Sequence, residues 1–212
     1  MQKTLINPGY FAPIDLFSAY INAKTVLWEN EDNYQKQTYR NRQYIYSPNG
    51  KLLLNIPIDH TTRKSGASKY RDTKVENKYD WQRVHWKSLE TAYSNSPFFE
   101  FYQDEFAALY HQPVTYLLDF NFRCLEVLKS CLQIEQSERL TQKFYKTTAE
   151  LPSIKDLRFL IVAKRKPAIS LEVYDQVFQE KHGFIPNLSI LDLLFNKGPE
   201  SLSYLKRNAV HI

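Results

Sequence analysis

The densest polar stretch of the 212-residue chain covers residues 29–42 and directly follows a predicted strand. Glu29 and Glu31 alternate, as do Arg40 and Arg42, so in an extended chain the members of each pair share a face. Paired carboxylates can divide into an acid and a base when burial raises one pKa. An arginine fork suits phosphate or carboxylate. The stretch predicts either a site for an anionic substrate or a charged surface ribbon whose acids and bases neutralise one another.

Two single residues outside this stretch could also serve a site. His85 lies one helical turn from Trp81, where it would be a general base or a hydrogen-bonded packing residue beside the tryptophan. Asn121 is the one polar residue in an apolar helical stripe, and a buried amide without a partner costs about 1–3 kcal/mol. We therefore expect Asn121 either to brace a site or to tie two helices together.

Other familiar kinds of site are missing from the sequence. The five histidines are scattered, and no two have metal-ligand spacing on one helix, so no metal site is expected. The sequence has no GxSxG, GxGxxG, Walker, HExxH or CxxC motif. It also lacks the patterns of nucleic-acid-binding modules, so nucleic acid is not an expected partner. The cofactor and the oligomeric state are left open.

The composition is that of an ordinary soluble globular protein, with 43% hydrophobic and 24% charged residues. No apolar run reaches the roughly 18 residues of a membrane span, and no signal peptide is visible, so we expect a cytoplasmic protein. The net charge of +5 is uneven, with basic first and last thirds around an acidic middle. This layout favours a small anionic substrate, although a mixed solvated surface would show the same layout.

The two cysteines, Cys124 and Cys131, lie seven residues apart on one predicted helix. Their Cα atoms would be about 10 Å apart, which is too far for a disulfide. We expect two free, buried thiols in a reducing compartment. The alternative is a nucleophilic cysteine paired with a histidine.

The elements that must position these residues begin with a strand, a helix and a strand over residues 4–28. Such a crossover makes a parallel pair, whose following loops open at one edge of the sheet. Residues 39–58, with the turn signal Asn49-Gly50, predict a β-hairpin. The basic segment 60–70 predicts a mobile loop that could close as a lid. The fold class is α/β, with α+β possible.

The rest of the chain is predominantly helical. The patterns predict helices over 80–95 and 99–110, a third with Pro113 in its first turn, a strand over 140–147, an irregular segment 149–167 with a short helix near 153–161, a helix capped by Asn187, and a last helix opened by Gly198-Pro199. We predict a core α/β domain over residues 1–135 and a helical C-terminal extension over 136–212 that packs on it.

Six segments, in order along nearly the whole chain, resemble motifs of the WbqC-like family. They are the strand and Pro-aromatic loop at 5–13, the K-x-x-aromatic-x-N-R element at 36–42, the G-x-x-x-L-x-apolar-P-apolar strand at 50–58, the helix and aromatic exit at 81–99, the D-x-N helix at 119–121 and the tail at 183–196. The tail resembles the form found in Bacteroidetes members. Two positions depart from the family pattern: Asn7-Pro8 replaces Gln-Pro, and Asn30-Glu31 replaces Asp-Asp.

The resemblance implies a role in surface-polysaccharide (O-antigen) biosynthesis. A transferase acting on an anionic nucleotide-sugar or acyl donor would suit the arginines, the basic loop and the 15% aromatic content, because flat rings stack on sugars and bases. The alternative is a non-catalytic binding or scaffold protein of the same kind of pathway. On the first interpretation the catalytic residues are Glu31 as base and His85 as second acid or base. The substrate-binding residues are then Asn7, Tyr10, Lys36, Arg40, Asn41, Arg42 and Asn121, and most of these residues converge on one pocket.

Overall fold

The computed structural model describes residues 3–60, 68–147 and 153–210. In chain order the elements are β1 (Lys3–Ile6), α1 (Ile14–Ile21), β2 (Thr25–Trp28), β3 (Arg42–Ser47), β4 (Gly50–Asn55), α2 (Trp81–Tyr93), α3 (Phe99–Tyr110), α4 (Leu117–Leu132), β5 (Glu138–Leu140), β6 (Ile154–Asp156), α5 (Gln179–His182), α6 (Ile190–Lys197) and α7 (Glu200–Arg207), with 3-10 turns at Tyr70–Asp72 and Arg158–Ile161. The α/β class predicted from the sequence is confirmed.

A parallel sheet in the order β5-β2-β1-β6 organises the described chain. The two inner strands are β1 and β2, with Leu5 opposite Leu27, and the helix α1 connects them as predicted. The outer strands β5 and β6 have three residues each and come from the C-terminal part of the chain. The proposed domain boundary at residue 135 stays a prediction, and both outer strands come from beyond it.

The predicted hairpin is confirmed as the antiparallel pair β3 and β4. Ser47 pairs with Gly50, so Pro48 and Asn49 form the turn. Gly50 has a φ of +91°, a conformation that glycine adopts without the strain of a side chain. The hairpin packs against α2 and α6 beside the parallel sheet.

The centre of the core is α6, whose residues 190–195 are all buried. A helix that is apolar on nearly every side must be covered all round, and α6 contacts α1, α3, α7 and β3. The ring of Phe195 lies 5.2 Å from that of Tyr93 on α2 and 5.1 Å from that of Phe99 on α3. On another side of the core, Trp28 of β2 meets Phe122 of α4 at 6.2 Å. The high aromatic content therefore serves mainly to pack the helices.

The sequence placed the start of α4 too early, because the helix begins at Leu117 and Pro113 lies outside it. Residues 113–116 are extended and pair with the segment before α2, where Val75 N–H donates to the carbonyl of Thr115 at 3.0 Å. The apolar Val114 that continued the helical stripe is buried in this extended segment. A valine can be buried equally well in a helix or in an extended segment, so Val114 alone could not show where the helix begins.

The strand predicted over 140–147 is wrong, because β5 covers Glu138–Leu140 only. The segment predicted to be irregular contains β6, followed by a single 3-10 turn in place of the short helix. All three residues of β6 are partly buried, so no alternation marks it as a strand. Pairing with β1 decides its conformation.

Asn187 does not cap α6, since the N-cap there is Ser189, whose hydroxyl accepts from the N–H of Leu191 at 3.3 Å. Asn187 instead accepts the N–H of Asp15 at 2.9 Å and so caps the first turn of α1. Gly198 ends α6 as predicted. The asparagine thus joins the C-terminal region to the helix that covers the sheet.

Neither cysteine forms a disulfide, in agreement with the prediction. Cys124 is buried, but Cys131 is only half-buried, which corrects its expected burial.

Most of the predicted mobile loop, residues 61–67, lies outside the described residues, so its mobility and its closure as a lid stay predictions. Across the described parts of the chain, no helix has both the length and the apolar character needed to cross a membrane.

Candidate functional site

A cleft of about 430 Å³ opens at the carboxyl ends of the parallel strands. Asn7 follows β1, Asp32 lies in the loop after β2, and Arg158 follows β6. The cleft is lined by Asn7, Asp32, Gln35, Arg40, Phe144, Lys146, Asp156, Arg158, Phe159, Ile161 and Val162. It therefore has a polar floor and an apolar, partly aromatic wall.

The topology of the sheet accounts for this position. The chain leaves β1 towards β2 on one side, whereas β6 pairs with β1 on the other side. The carboxyl ends of β1 and β6 are thus a point where the connections diverge, and α/β proteins bind their ligands at such points.

A buried ion pair forms the floor of the cleft. Arg40 donates through Nη2 to Oδ2 of Asp32, and their side chains are only 2% and 7% exposed. Asn7 Nδ2 donates to the same oxygen at 3.0 Å. Among the described residues, Oδ1 of Asp32 and the Nε and Nη1 atoms of Arg40 have no hydrogen-bond partner. Buried polar atoms are normally paired, so these three atoms, which have almost no solvent exposure, are an exception at the floor of the cleft.

Arg40 is held in place from behind by α4 and the 3-10 turn at residues 70–72. Asn121 of α4 donates through Nδ2 to the carbonyl of Arg40 at 2.7 Å and to the hydroxyl of Tyr70. The ring of Tyr70 lies 5.2 Å from the guanidinium carbon of Arg40. Its hydroxyl donates to the carbonyl of Pro8 at 3.0 Å, next to Asn7. These contacts restrain the arginine without using its free nitrogen atoms.

The environment of Asp32 favours proton uptake. Burial raises the pKa of this carboxyl, Arg40 lowers it, and the neighbouring carboxylate of Glu29 raises it, with a net result above the ordinary value. A carboxylate whose pKa lies closer to neutrality is a better general base than an exposed one. Asp32 is therefore the carboxyl in the cleft best suited to move a proton.

Arg158 is the second fixed cation of the cleft. It donates through Nε to Asp156 Oδ1 at 3.0 Å, through Nη2 to Asp156 Oδ2 at 2.7 Å, and through Nη1 to the carbonyl of Tyr145 at 2.6 Å and to Glu29 Oε2 at 3.3 Å. Burial alone would raise the pKa of Asp156, but the hydrogen bonds and charge of Arg158 lower it below its ordinary value. Glu29 is fully buried beneath the cleft and also accepts from the Thr141 hydroxyl at 2.9 Å.

The lining of the cleft carries three cations, Arg40, Arg158 and Lys146, against the carboxylates of Asp32 and Asp156. Lys146 is exposed and has no ion-pair partner within the described residues. Glu29, buried beneath the lining and paired with Arg158, balances the third cation, so the feature that favours an anionic ligand is Lys146, whose charge is exposed at the cleft. No group of three or more His, Cys, Asp or Glu side chains within the described ranges is arranged to hold a metal ion.

Of the nine residues predicted for the site, Asn7 and Arg40 line this cleft. Glu31 is placed elsewhere, because its carboxylate pairs with Arg71 and with Lys69 at 3.3 Å. Its backbone N–H donates to Glu29 at 3.0 Å, so the two glutamates do not form a catalytic pair facing one cleft. The base role predicted for Glu31 stays a prediction, and its carboxylate is engaged by two cations.

Tyr10 and His85 meet in the core, away from the cleft lining. The Tyr10 hydroxyl lies 2.9 Å from His85 Nδ1 and 2.7 Å from the Tyr110 hydroxyl. Burial lowers the pKa of His85 to about 4, although a hydrogen bond with the backbone of Asn55 raises it. His85 is therefore neutral at physiological pH and packs beside Trp81, as in the alternative considered from the sequence.

Asn121 braces Arg40 from α4 without lining the cleft, and the other three predicted residues lie by the hairpin or at the surface. Asn41 donates through Nδ2 to Asn55 Oδ1 at 3.1 Å and to the carbonyl of Ile56 at 2.9 Å, which secures the end of β4. Arg42 is half-buried, its Nε has no partner among the described atoms, and Lys36 is exposed. None of the three lines the cleft, and their substrate-binding roles stay predictions.

The sequence interpretation missed Asp32, Lys146, Asp156 and Arg158. Asp32 belongs to the polar stretch that was singled out, and it follows Glu31 directly. Both residues lie in a bend after the strand, so strand alternation cannot tell which of the two carboxylates faces the cleft. Asp156 and Arg158 follow a strand too short to be recognised, and no motif marked them.

Comparison with known proteins gives the family of the chain. A family model described as the WbqC-like protein family matches residues 7–166 and 155–204. The chain is 30% identical over 224 residues to an uncharacterised protein of Mycobacterium tuberculosis, an alignment that covers 93% of this chain and 92% of the relative. No solved structure matches it significantly. The family model matches well over half of the chain, and the chain therefore belongs to the WbqC-like protein family.

Proposed function

We propose that the protein is a transferase of surface-polysaccharide or modified-sugar biosynthesis that moves a glycosyl or acyl group from an anionic donor to an acceptor. Its donor binds in the cleft at the carboxyl ends of the parallel strands. The observation that carries the proposal is the buried pair of Asp32 and Arg40 at the floor of the cleft, in which one oxygen and two nitrogen atoms have no hydrogen-bond partner among the described residues. Activated donors of this kind are made in the cytoplasm, which is the compartment we propose.

The chemistry follows from the two charges. Oδ1 of Asp32 takes the proton from the acceptor hydroxyl or amine as that atom attacks the reactive carbon of the donor. The bond from this carbon to the leaving group breaks, and the leaving group departs with the electron pair. Arg40 and Arg158 are already fixed in position and stabilise the negative charge that develops on it. Asn7 holds the other oxygen of Asp32 and so orients the base.

The test is substitution of Asp32 by Asn, measured as donor turnover by mass spectrometry. Purified protein is incubated with nucleotide-sugars or acyl-coenzyme A and a pool of acceptor sugars, and released nucleoside diphosphate or free thiol is quantified. Loss of a general base should lower the turnover about 100-fold or more. Asp104→Asn, an exposed aspartate on α3, is the matched control and should keep full turnover.

Glu31→Gln separates the proposed base from the one suggested by the sequence. If Glu31→Gln abolishes turnover and Asp32→Asn does not, the assignment of the base to Asp32 is wrong. Thermal unfolding of each variant shows whether it is folded at the assay temperature. If no donor is turned over and none shifts the unfolding midpoint of the wild type, the transferase proposal fails in favour of a scaffold protein.

A further inference from the structure

Two phenylalanine rings at the mouth of the cleft are unusually exposed. Phe144 is 47% exposed and Phe159 is 43% exposed, and both line the cleft. Most large aromatic side chains of this protein are buried in the core. Exposed aromatic rings beside a polar cleft are suited to stacking on a flat ligand group.

Each of these rings is supported by an anchored guanidinium. The guanidinium carbon of Arg158 lies 5.7 Å from the centre of the Phe144 ring, and that of Arg165 lies 5.9 Å from the centre of the Phe159 ring. Arg165 is itself held by Asp15, with nitrogen–oxygen distances of 2.6 and 2.7 Å. Rings that are supported in this way lose little freedom when a ligand stacks on them, which favours binding.

Below these rings the cleft presents the cations that a phosphate chain needs. Lys146 is exposed without an ion pair within the described residues, and Arg40, at the floor, has two buried nitrogen atoms without a hydrogen-bond partner. A simple phosphate would use the cations and leave the aromatic rim without a role. A plain sugar would use the rim and leave Lys146 without an anionic partner. A ligand that joins a flat ring to a phosphate chain would use both.

We propose that the cleft binds the nucleoside diphosphate part of its donor, with the base against Phe144 and Phe159 and the phosphates on Lys146 and Arg40. This inference rests on the proposed function and narrows its substrate class. Nucleotide-sugars and acyl-coenzyme A both contain a nucleoside diphosphate, so this shared part is what the cleft recognises. The volume of about 430 Å³ lies in the range of small-molecule sites, about 300–1,000 Å³.

The test is calorimetric titration of the full chain with UDP, ADP, inorganic pyrophosphate and uridine. Base stacking should make at least one nucleoside diphosphate bind about 10-fold or more tightly than pyrophosphate. Phe144→Leu and Phe159→Leu should remove most of this advantage and leave pyrophosphate binding unchanged. Phe101→Leu, on an exposed ring of α3 outside the cleft, is the matched control. Lys146→Gln should weaken the binding of the diphosphates and leave the binding of uridine unchanged.

Displacement of a bound nucleoside diphosphate by a UDP-sugar or by coenzyme A distinguishes the two sources. If pyrophosphate binds as tightly as either nucleoside diphosphate and the phenylalanine variants change nothing, the nucleotide inference is overturned while the anionic site stands. If a nucleoside diphosphate binds as expected but Asp32→Asn does not alter turnover, the nucleotide site stands and the proposed base fails. If none of the four compounds binds, the inference is overturned.

Discussion

His85 should make the folded protein less stable in mild acid. The side chain is 4% exposed and hydrogen-bonded to Tyr10 through Nδ1, with the ring of Trp81 at 5.2 Å. Burial lowers the pKa of His85 from 6.5 to about 4 in the folded chain, whereas the unfolded chain keeps the ordinary value. Between these two pH values the unfolded chain binds a proton that the folded chain does not. The free energy of unfolding therefore rises with pH through this window.

The magnitude follows from the two pKa values. Their difference, 6.5 minus about 4, is about 2.5 pH units, and each unit is worth about 1.36 kcal/mol. Above pH 6.5 the histidine is neutral in both states and does not lower the free energy of unfolding. As the pH falls, the free energy of unfolding decreases, by a total of about 3 kcal/mol below pH 4. At pH 5 the free energy of unfolding is already lower by about 2 kcal/mol. This is a large part of the stability of an ordinary domain.

The assay is urea unfolding at pH 7.5 and at pH 5, with wild type compared with His85→Asn. The amide of asparagine reaches the position of Nδ1 but does not titrate, so the variant should lose about 2 kcal/mol less than wild type between the two pH values. Burial raises the pKa values of Asp32 and Asp192, which act in the opposite direction, and the comparison cancels them. His111→Asn, at an exposed position, should behave as wild type. Equal losses in wild type and His85→Asn would refute the reasoning.

Three further predictions concern the fold. A thiol reagent under native conditions should label the half-buried Cys131 before the buried Cys124, and equal rates would contradict the placement of α4. Asn187→Ala should lower the free energy of unfolding by about 1 kcal/mol in urea titrations because it removes the cap of α1; no change would show that the cap is dispensable. Gly198→Ala should cost about 2 kcal/mol, since φ is +52° and the new Cβ would lie 2.5 Å from an aromatic carbon. Gly183→Ala, which also has a positive φ but open space around it, should cost less, and equal costs would show that the clash is relieved.

Local patterns were enough to predict the first five elements of the fold, from β1 to β4. The strand, helix and strand over residues 4–28 and the hairpin around Asn49-Gly50 are short-range features, and each is confirmed. They also placed Asn7 after the first strand, which is why it was expected at the edge of the sheet, where it now lines the cleft. Arg40 was found because the polar stretch follows the second strand.

The sequence could not identify the far side of the cleft. Asp156 and Arg158 reach it because β6, more than a hundred residues away along the chain, pairs with β1. A strand of three partly buried residues has no periodicity of its own, so only the long-range pairing decides its conformation and its neighbours.

The choice among the polar residues was also made by the tertiary structure. Residue types and spacing alone determined that a carboxylate and an arginine from residues 29–42 could meet an anionic ligand. The packed fold decided which ones, because Glu31 faces Lys69 and Arg71 while the next residue, Asp32, faces Arg40 in the cleft. It likewise decided that His85 is buried against Tyr10 as a neutral side chain. The residue type determines which chemical groups a side chain carries. Its partners and its solvent exposure depend on contacts between distant segments, which local sequence does not specify.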